Sequence, residues 1–380
     1  MKRSPIFDPP EYVDWKADPA LVRAFRERVH SDPARAEVVR SLDESALLDL
    51  YAGMVRFRLH DYALKRWVRQ GVISKAWLGT GEEAVTIGGV HALDRERDVV
   101  APMIRNAGAL HEMGMPLVQC LCAYLATTDS PNRGHDGHVG DLARGILAPI
   151  SHVGVSVPLV TGIALSFRQR GENRVALTWI GDGSTKTGIA HEGLNLAGVL
   201  RVPAIFVIQN NQVALGTRLD QHQTGDFRAW PAMYGLHGFE VDGNNVLDVY
   251  AATRIAAERA RSGDGPSLMI VDTFRMGGHA THDEAEARRT FAPELFRYWG
   301  ARDPIGLYEA YLQEEGIPAS RLEAIEADVT SEIDAAIDAA LRSREGRMPD
   351  GAECEFPGFS EGMRQPGLAA RISLSPQTSR

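Results

Sequence analysis

Residues 174–211 read RVALTWIGDGSTKTGIAHEGLNLAGVLRVPAIFVIQNN, and this stretch decides the fold. Two unbroken apolar runs, Arg174–Ile180 and Ala204–Ile208, flank a segment, Thr187–Leu200, whose apolar residues recur at helical spacing. Apolar runs without alternation suit strands buried on both faces, and a strand, helix, strand order of this length closes as a right-handed parallel crossover. Ser267–Thr273 (SLMIVDT), after a helical stretch Leu247–Arg261, supplies another strand. The expected class is α/β: a doubly wound parallel sheet flanked by helices, whose ligands sit beyond the carboxyl ends of the strands. Gly181-Asp182-Gly183 and Asn210-Asn211 follow two of these strands directly, so the sheet itself brings Asp182 and Asn211 to one edge.

Outward from this centre, Ser45–Gln70 carries Leu47, Leu50, Met54, Phe57 and Leu64 at spacings of three, four or seven, which predicts an amphipathic helix stopped near Gly71. Residues 1–19, with Pro5, Pro9, Pro10 and Pro19, read as an extended arm lying over something else, and helix begins near Ala20. Pro304–Glu314 and Arg321–Arg342 read as helices, and the Pro-, Gly- and Ser-rich end reads as a loose tail. The expected division is 1–44 N-terminal helical arm, 45–315 main domain, 316–345 C-terminal helical extension and 346–380 irregular tail.

With 41 basic and 50 acidic residues among 380, the chain has a net charge of -9 and no global basic field for a nucleic acid. No apolar run approaches the ~18 residues of a spanning helix, and no secretory signal follows MKRSPIFDPPEY, so a cytoplasmic protein without membrane contact is expected. Cys120, Cys122 and Cys354 lack the spacing of a zinc site.

The segment GDGSTKTG, 181–188, is glycine-rich, but a phosphate loop requires glycines where Ile180 and Thr185 stand. A dinucleotide fingerprint requires a glycine at Lys186 and sets Asp182 against a pyrophosphate. A carboxylate there repels phosphate unless a cation intervenes. Mg²⁺ takes about six hard oxygens and commonly joins protein carboxylate or amide oxygens to a bound phosphate. Asp182, the side-chain oxygen of Asn211 and a nearby backbone carbonyl form such a half-shell. The plain alternative is turn chemistry, since glycine-flanked Asp and Asn pairs are common in turns.

Together these residues make the chain resemble the α subunits of thiamine-diphosphate-dependent 2-oxo acid dehydrogenases, over roughly residues 45–315. The carrying motifs are Gly181-Asp182-Gly183 with Asn210-Asn211, and Gly188, Glu192, Leu194, Asn195 and Ala197 between them. The resemblance implies a thiamine-diphosphate-binding fold, with Mg²⁺ held by Asp182, Asn211 and the carbonyl of Val213. It implies thiamine diphosphate held by Arg105, Gly181, Asp182, Gly183, Ser184, Asn211, Val153 and His279, with His279 also catalytic. His282 and Asp283 could orient His279 or help receive a lipoyl group, and Glu82 and Glu83 read as structural.

The reaction implied is oxidative decarboxylation of a small 2-oxo acid, with acyl transfer to the lipoyl group of a partner acyltransferase. The glutamate that activates the cofactor is expected from a β subunit, in an α₂β₂ assembly. Rival readings are an acetoin-cleaving or carboligating enzyme subunit and a non-catalytic paralogue acting as a binding partner. The chain departs from the family pattern at Ile104, where Tyr is usual, at Val213, again for Tyr, and in Asp136-Gly137-His138-Val139-Gly140, where the expected histidine is displaced. Ala280 occupies the place of a serine that some relatives phosphorylate.

Overall fold

A computed structural model describes residues 1–351 of the chain. Its centre is a sheet of five parallel strands, β1 (Val99–Ala101), β2 (Ala176–Gly181), β3 (Ala204–Asn210), β6 (His237–Asp242) and β7 (Ser267–Asp272), in the order β1-β2-β3-β7-β6. A two-residue ladder, β4 (Val213–Ala214) with β5 (Thr217–Arg218), stands beyond the end of β3. Successive strand residues feed opposite cores. Ala176, Ile180, Phe206, Ile208, Leu268 and Ile270 join one apolar cluster with the helices Ser156–Gln169 and Gly188–Leu200. Leu177, Trp179, Ile205, Val207, Met269 and Val271 join another, under the helices Glu83–His91 and Val246–Arg261. Period-two side chains that are apolar on both sides require cover on both sides, and the helices supply it.

The doubly wound sheet expected from the sequence is therefore present, with the three expected strands and both expected helices between strands in place. The two edge strands of this sheet are not legible in the sequence pattern. β1 has only three residues, and β6 is an edge strand, HGFEVD, with Glu240 among its exposed positions.

A third cluster extends from Val22 to Ala340 and gathers the helices Pro19–His30, Pro33–Arg40, Glu44–Arg69, Pro304–Glu314 and Ala319–Gly346. The long helix Glu44–Arg69 ends at Gln70 and Gly71, as expected, but it is not a surface amphipath. Its polar residues are covered too: Arg58 by the N-terminal arm and Asp303, His60 by His111 and Tyr124, and Asp61 by Gly79 and Thr80, so all three are fully buried. Arg58 is kept there by ion pairs to Glu83, to Asp303 at 3.0 Å and to Asp8 of the arm at 3.3 Å. The arm includes one helical turn, Pro10–Val13, and buries Tyr12 under Arg58. Arg28 and Arg35 pair with Asp248 of the helix Val246–Arg261, and Asn245, which caps that helix, donates to the carbonyl of Phe25. Cys120 and Cys122 are buried free thiols. Cys354 and most of the expected irregular tail lie outside the described residues.

Candidate active site

The carboxyl ends of β2, β3 and β7 share one edge, with Gly181 in register with Gln209 and Asn210 with Asp272. Asp182 and Asn211 are the next residues out. Beyond β3 the chain turns back through Gln212 and Leu215, both in the left-handed region at φ +70° and +58°, and this fold of the backbone carries Val213 inward. The turn lies so close to β2 that a Cβ on Gly183 would stand 2.6 Å from the Cβ of Ala214. A cavity of about 540 Å³ opens at this edge, and its lining includes every residue expected to hold the cofactor or metal, Arg105, Val153, Gly181, Asp182, Gly183, Ser184, Asn211, Val213 and His279, but neither His282 nor Asp283.

Asp182 is 1% exposed, and its Oδ2 accepts no hydrogen bond. Burial pushes its carboxyl above the usual range, against the opposing pull of His222, whose Nε2 lies 3.4 Å away, and of Arg275. Asn211 donates through Nδ2 to Glu82 Oε1 at 2.8 Å, and its Oδ1 accepts a long 3.4 Å bond from the Val213 N–H. An orphaned buried carboxylate oxygen and an amide side chain lining one cavity make a hard-donor set that fits a Mg²⁺-type cation. Among the described residues no group of three or more His, Cys, Asp or Glu side chains could hold a metal ion. An ion here would complete its shell from backbone, water or ligand oxygens.

The other wall is cationic. Arg105, buried in the protein, donates to the Leu78 carbonyl at 3.2 Å and to His279 Nδ1 at 3.1 Å. Since a guanidinium only donates, Nδ1 of His279 is bare and the ring proton is on Nε2. Burial, Arg105 and Arg275 hold His279 down to about 4, so its imidazole is neutral at pH 7. Arg275 is also buried and donates to the Leu215 carbonyl at 2.8 Å. Burial and the neighbouring Arg105 lower it to about 10. Two desolvated guanidiniums facing one cavity mark a place for a strong anion.

Sequence reasoning missed Arg275 and Glu82. An arginine two residues before Gly277-Gly278-His279 was a legible signal for the first. Glu83 is structural, as read, through its pair with Arg58. Glu82 instead lies fully buried between Asn211, Gln209 and Arg105. The displaced histidine of the 136–140 segment still reaches the cavity. His138 holds Asp136 Oδ1 at 2.8 Å and Ser151 Oγ at 2.9 Å through its two ring nitrogens. Ile104 lines the cavity where the resemblance led us to expect Tyr, giving apolar wall in place of a hydroxyl. Asp283 accepts from the Ala280 N–H at 2.9 Å and so shapes the loop bearing His279.

Comparison with known proteins agrees with this arrangement. The family profile described as dehydrogenase E1 component matches residues 51–348. The 2-oxoisovalerate dehydrogenase subunit alpha of Bacillus subtilis (strain 168) is 33% identical over 286 residues, 74% of this chain and 86% of that protein. The pyruvate dehydrogenase E1 component subunit alpha of the same organism is 35% identical over 313 residues, 81% of each chain. The 3-methyl-2-oxobutanoate dehydrogenase subunit alpha of Mycobacterium tuberculosis (strain ATCC 25618 / H37Rv) is 34% identical over 297 residues, 75% of each. With the sheet edge, the orphaned aspartate and these matches in place, the chain belongs to the dehydrogenase E1 component family.

Proposed function

We propose that this chain is the α-type subunit of a thiamine-diphosphate-dependent 2-oxo acid dehydrogenase, which decarboxylates a small 2-oxo acid and passes the acyl group to a lipoyl-bearing partner. One observation carries the reading: an orphaned buried carboxylate, Asp182, faces the same cavity as two desolvated guanidiniums, Arg105 and Arg275. A site that wants a cation on one wall and an anion on the other suits a metal-bound diphosphate. Asp182, Asn211 and the Val213 carbonyl would hold Mg²⁺. Arg105 and Arg275 would grip the diphosphate, with Gly181, Gly183 and Ser184 beside it and Val153 on the wall. Thiamine diphosphate, once bound, supplies the carbanion chemistry of decarboxylation.

The chain's own residues bind, orient and exclude water. Neutral His279 keeps its proton on Nε2 and offers it as a hydrogen-bond donor, because Arg105 occupies Nδ1. His138, held by Asp136 and Ser151, presents a second imidazole at the cavity. Among the described residues, Asp182 is the one carboxylate in the lining, and it is the one that would hold the ion. The acid that activates the cofactor therefore comes from another polypeptide, a β subunit, in an α₂β₂ assembly.

The test is turnover of pyruvate and branched 2-oxo acids, with thiamine diphosphate, Mg²⁺ and lipoamide, by this chain alone and with the β-type chain that co-purifies with it. Activity only in the pair is expected. Turnover by the chain alone would refute the shared site, and free carbonyl products without lipoamide reduction would refute the dehydrogenase reading. Among the described residues no helix is long and apolar enough to cross a membrane.

A further inference from the structure

Residues 79–83 are held with unusual care for a loop that does not line the cavity. Asp61 Oδ2 accepts from the Gly79 N–H at 2.9 Å and from Thr80 Oγ1 at 3.0 Å. Glu83 accepts from the Gly81 N–H at 2.9 Å with one oxygen and pairs with buried Arg58 through the other. The loop is wedged between the segments that carry the two arginines. A Cβ on Gly79 would stand 2.6 Å from the Arg105 carbonyl oxygen. One on Gly81, whose φ is +95°, would stand 2.7 Å from the carbonyl oxygen of Phe274. What this clamped loop delivers is the side chain of Glu82.

Glu82 is 0% exposed, a costly place for a carboxylate. Its Oε1 accepts from Gln209 Nε2 at 2.5 Å and from Asn211 Nδ2 at 2.8 Å. Its Oε2 has no hydrogen-bond partner and lies 3.6 Å from Arg105 Nη1. Gln209 in turn accepts, through its own oxygen, from Asn106 Nδ2 at 3.0 Å. A chain of amides can run in either sense, because each presents a donor on one side and an acceptor on the other. An ionised carboxylate removes that freedom, since it can only accept. With Glu82 at the hub, Asn211 must turn its NH₂ downward and its Oδ1 away, and Gln209 must turn its oxygen to Asn106. The same carboxylate stands as the counter-charge beside Arg105.

We propose that Glu82 is the positioning residue of this site, fixing the amide sense of Asn211 for a divalent ion and the guanidinium of Arg105 for a diphosphate. The assignment rests on the proposed function, because it presumes those two ligands. Glu82 lies outside the cavity lining and touches neither ligand; it acts through Asn211 and Arg105.

The experiment is electron paramagnetic resonance titration with Mn²⁺ in place of Mg²⁺, on the full chain with its β-type partner and thiamine diphosphate. Glu82→Ala frees the Asn211 amide to rotate, and Mn²⁺ affinity should fall by about 10–100-fold, the usual effect of losing a group that orients a metal ligand. Glu82→Gln, nearly isosteric, packs as the parent does, but as an amide it no longer dictates the sense of Asn211 and it loses the charge beside Arg105. It should weaken Mn²⁺ by about threefold to tenfold, less than Glu82→Ala does, and thiamine diphosphate, followed by calorimetry, by about tenfold. In an Asn211→Ala background, Glu82→Ala should add nothing to the loss of Mn²⁺, a non-additivity that general loosening of the fold would not produce.

A Glu82→Ala complex within twofold of the parent overturns the proposal, as does a full additive loss in the Asn211→Ala background. If Glu82→Ala does not fold, Glu82→Gln decides alone: parental affinity for thiamine diphosphate overturns it. A parent complex that binds neither Mn²⁺ nor thiamine diphosphate overturns this assignment together with the function on which it rests.

Discussion

Replacing Arg275 by Met should make the cofactor-free protein more stable and the cofactor-binding protein worse. Its fall from 12.5 to about 10 corresponds to roughly 3 kcal/mol working against the charged guanidinium in its buried place. Met has a similar reach and no charge to desolvate. Against that gain stand the lost bonds to the Leu215 carbonyl at 2.8 Å and the Gly277 carbonyl at 3.4 Å, together about 2 kcal/mol. The balance is about 1 kcal/mol in favour of Arg275→Met, or a Tm higher by about 1–2 °C for a chain of this size.

The sign reverses with ligand. A charged hydrogen bond to phosphate is worth about 1.5–3 kcal/mol, so affinity for thiamine diphosphate with Mg²⁺ should fall by roughly 10–150-fold. His279, freed from one of the two cations that depress it, should also titrate closer to its ordinary range. Differential scanning fluorimetry without ligand and calorimetric titration with it measure the two halves. A variant that is less stable without ligand and binds thiamine diphosphate as the parent does would refute the idea that Arg275 is held in strain for an anion.

Two further outcomes are expected. Burial and Glu83 push Asp61 up to about 8, so the folded protein holds a proton there that the unfolded chain, near 3.8, has released. Stability from this group is therefore present at low pH and lost as pH rises toward 8, at about 1.4 kcal/mol per pH unit between pH 5 and 7.5. Asp61→Asn should lack that slope in urea unfolding, and identical pH profiles for the two proteins would contradict it. Arg58→Met leaves the carboxylates of Asp8, Glu83 and Asp303 close together in the interior without the cation that joins them. It should cost about 3–5 kcal/mol of unfolding free energy, whereas a loss below about 1 kcal/mol would mean that the network does not hold the arm.

Much of the sheet and of the cavity lining was legible because both depend on local pattern. RVALTWI and AIFVI have no polar alternation, and the residues that follow such strands must fall at one edge, whatever separates them in sequence. β6 stayed hidden because an edge strand keeps one side in water, and HGFEVD reads as readily as loop. The Glu44–Arg69 helix was legible as a helix but not as a buried one. Its polar residues are covered by partners such as Asp8 and Asp303, up to 245 positions away. Glu82 was illegible for the same reason: it meets Gln209 and Asn211 across 127 and 129 positions, and nothing beside Gly81 announces those contacts.

The pairing of Arg28 and Arg35 with Asp248, across 220 and 213 residues, also bears on how the chain reaches its native state. The helices Pro19–His30 and Pro33–Arg40 have apolar faces that close against segments made far later. At synthesis rates of about 5–20 residues per second, that interval is roughly 10–40 s. During it Val22, Phe25 and Val29 have only transient shelter, so residues 19–40 of a nascent chain stay open to chaperones and to aggregation.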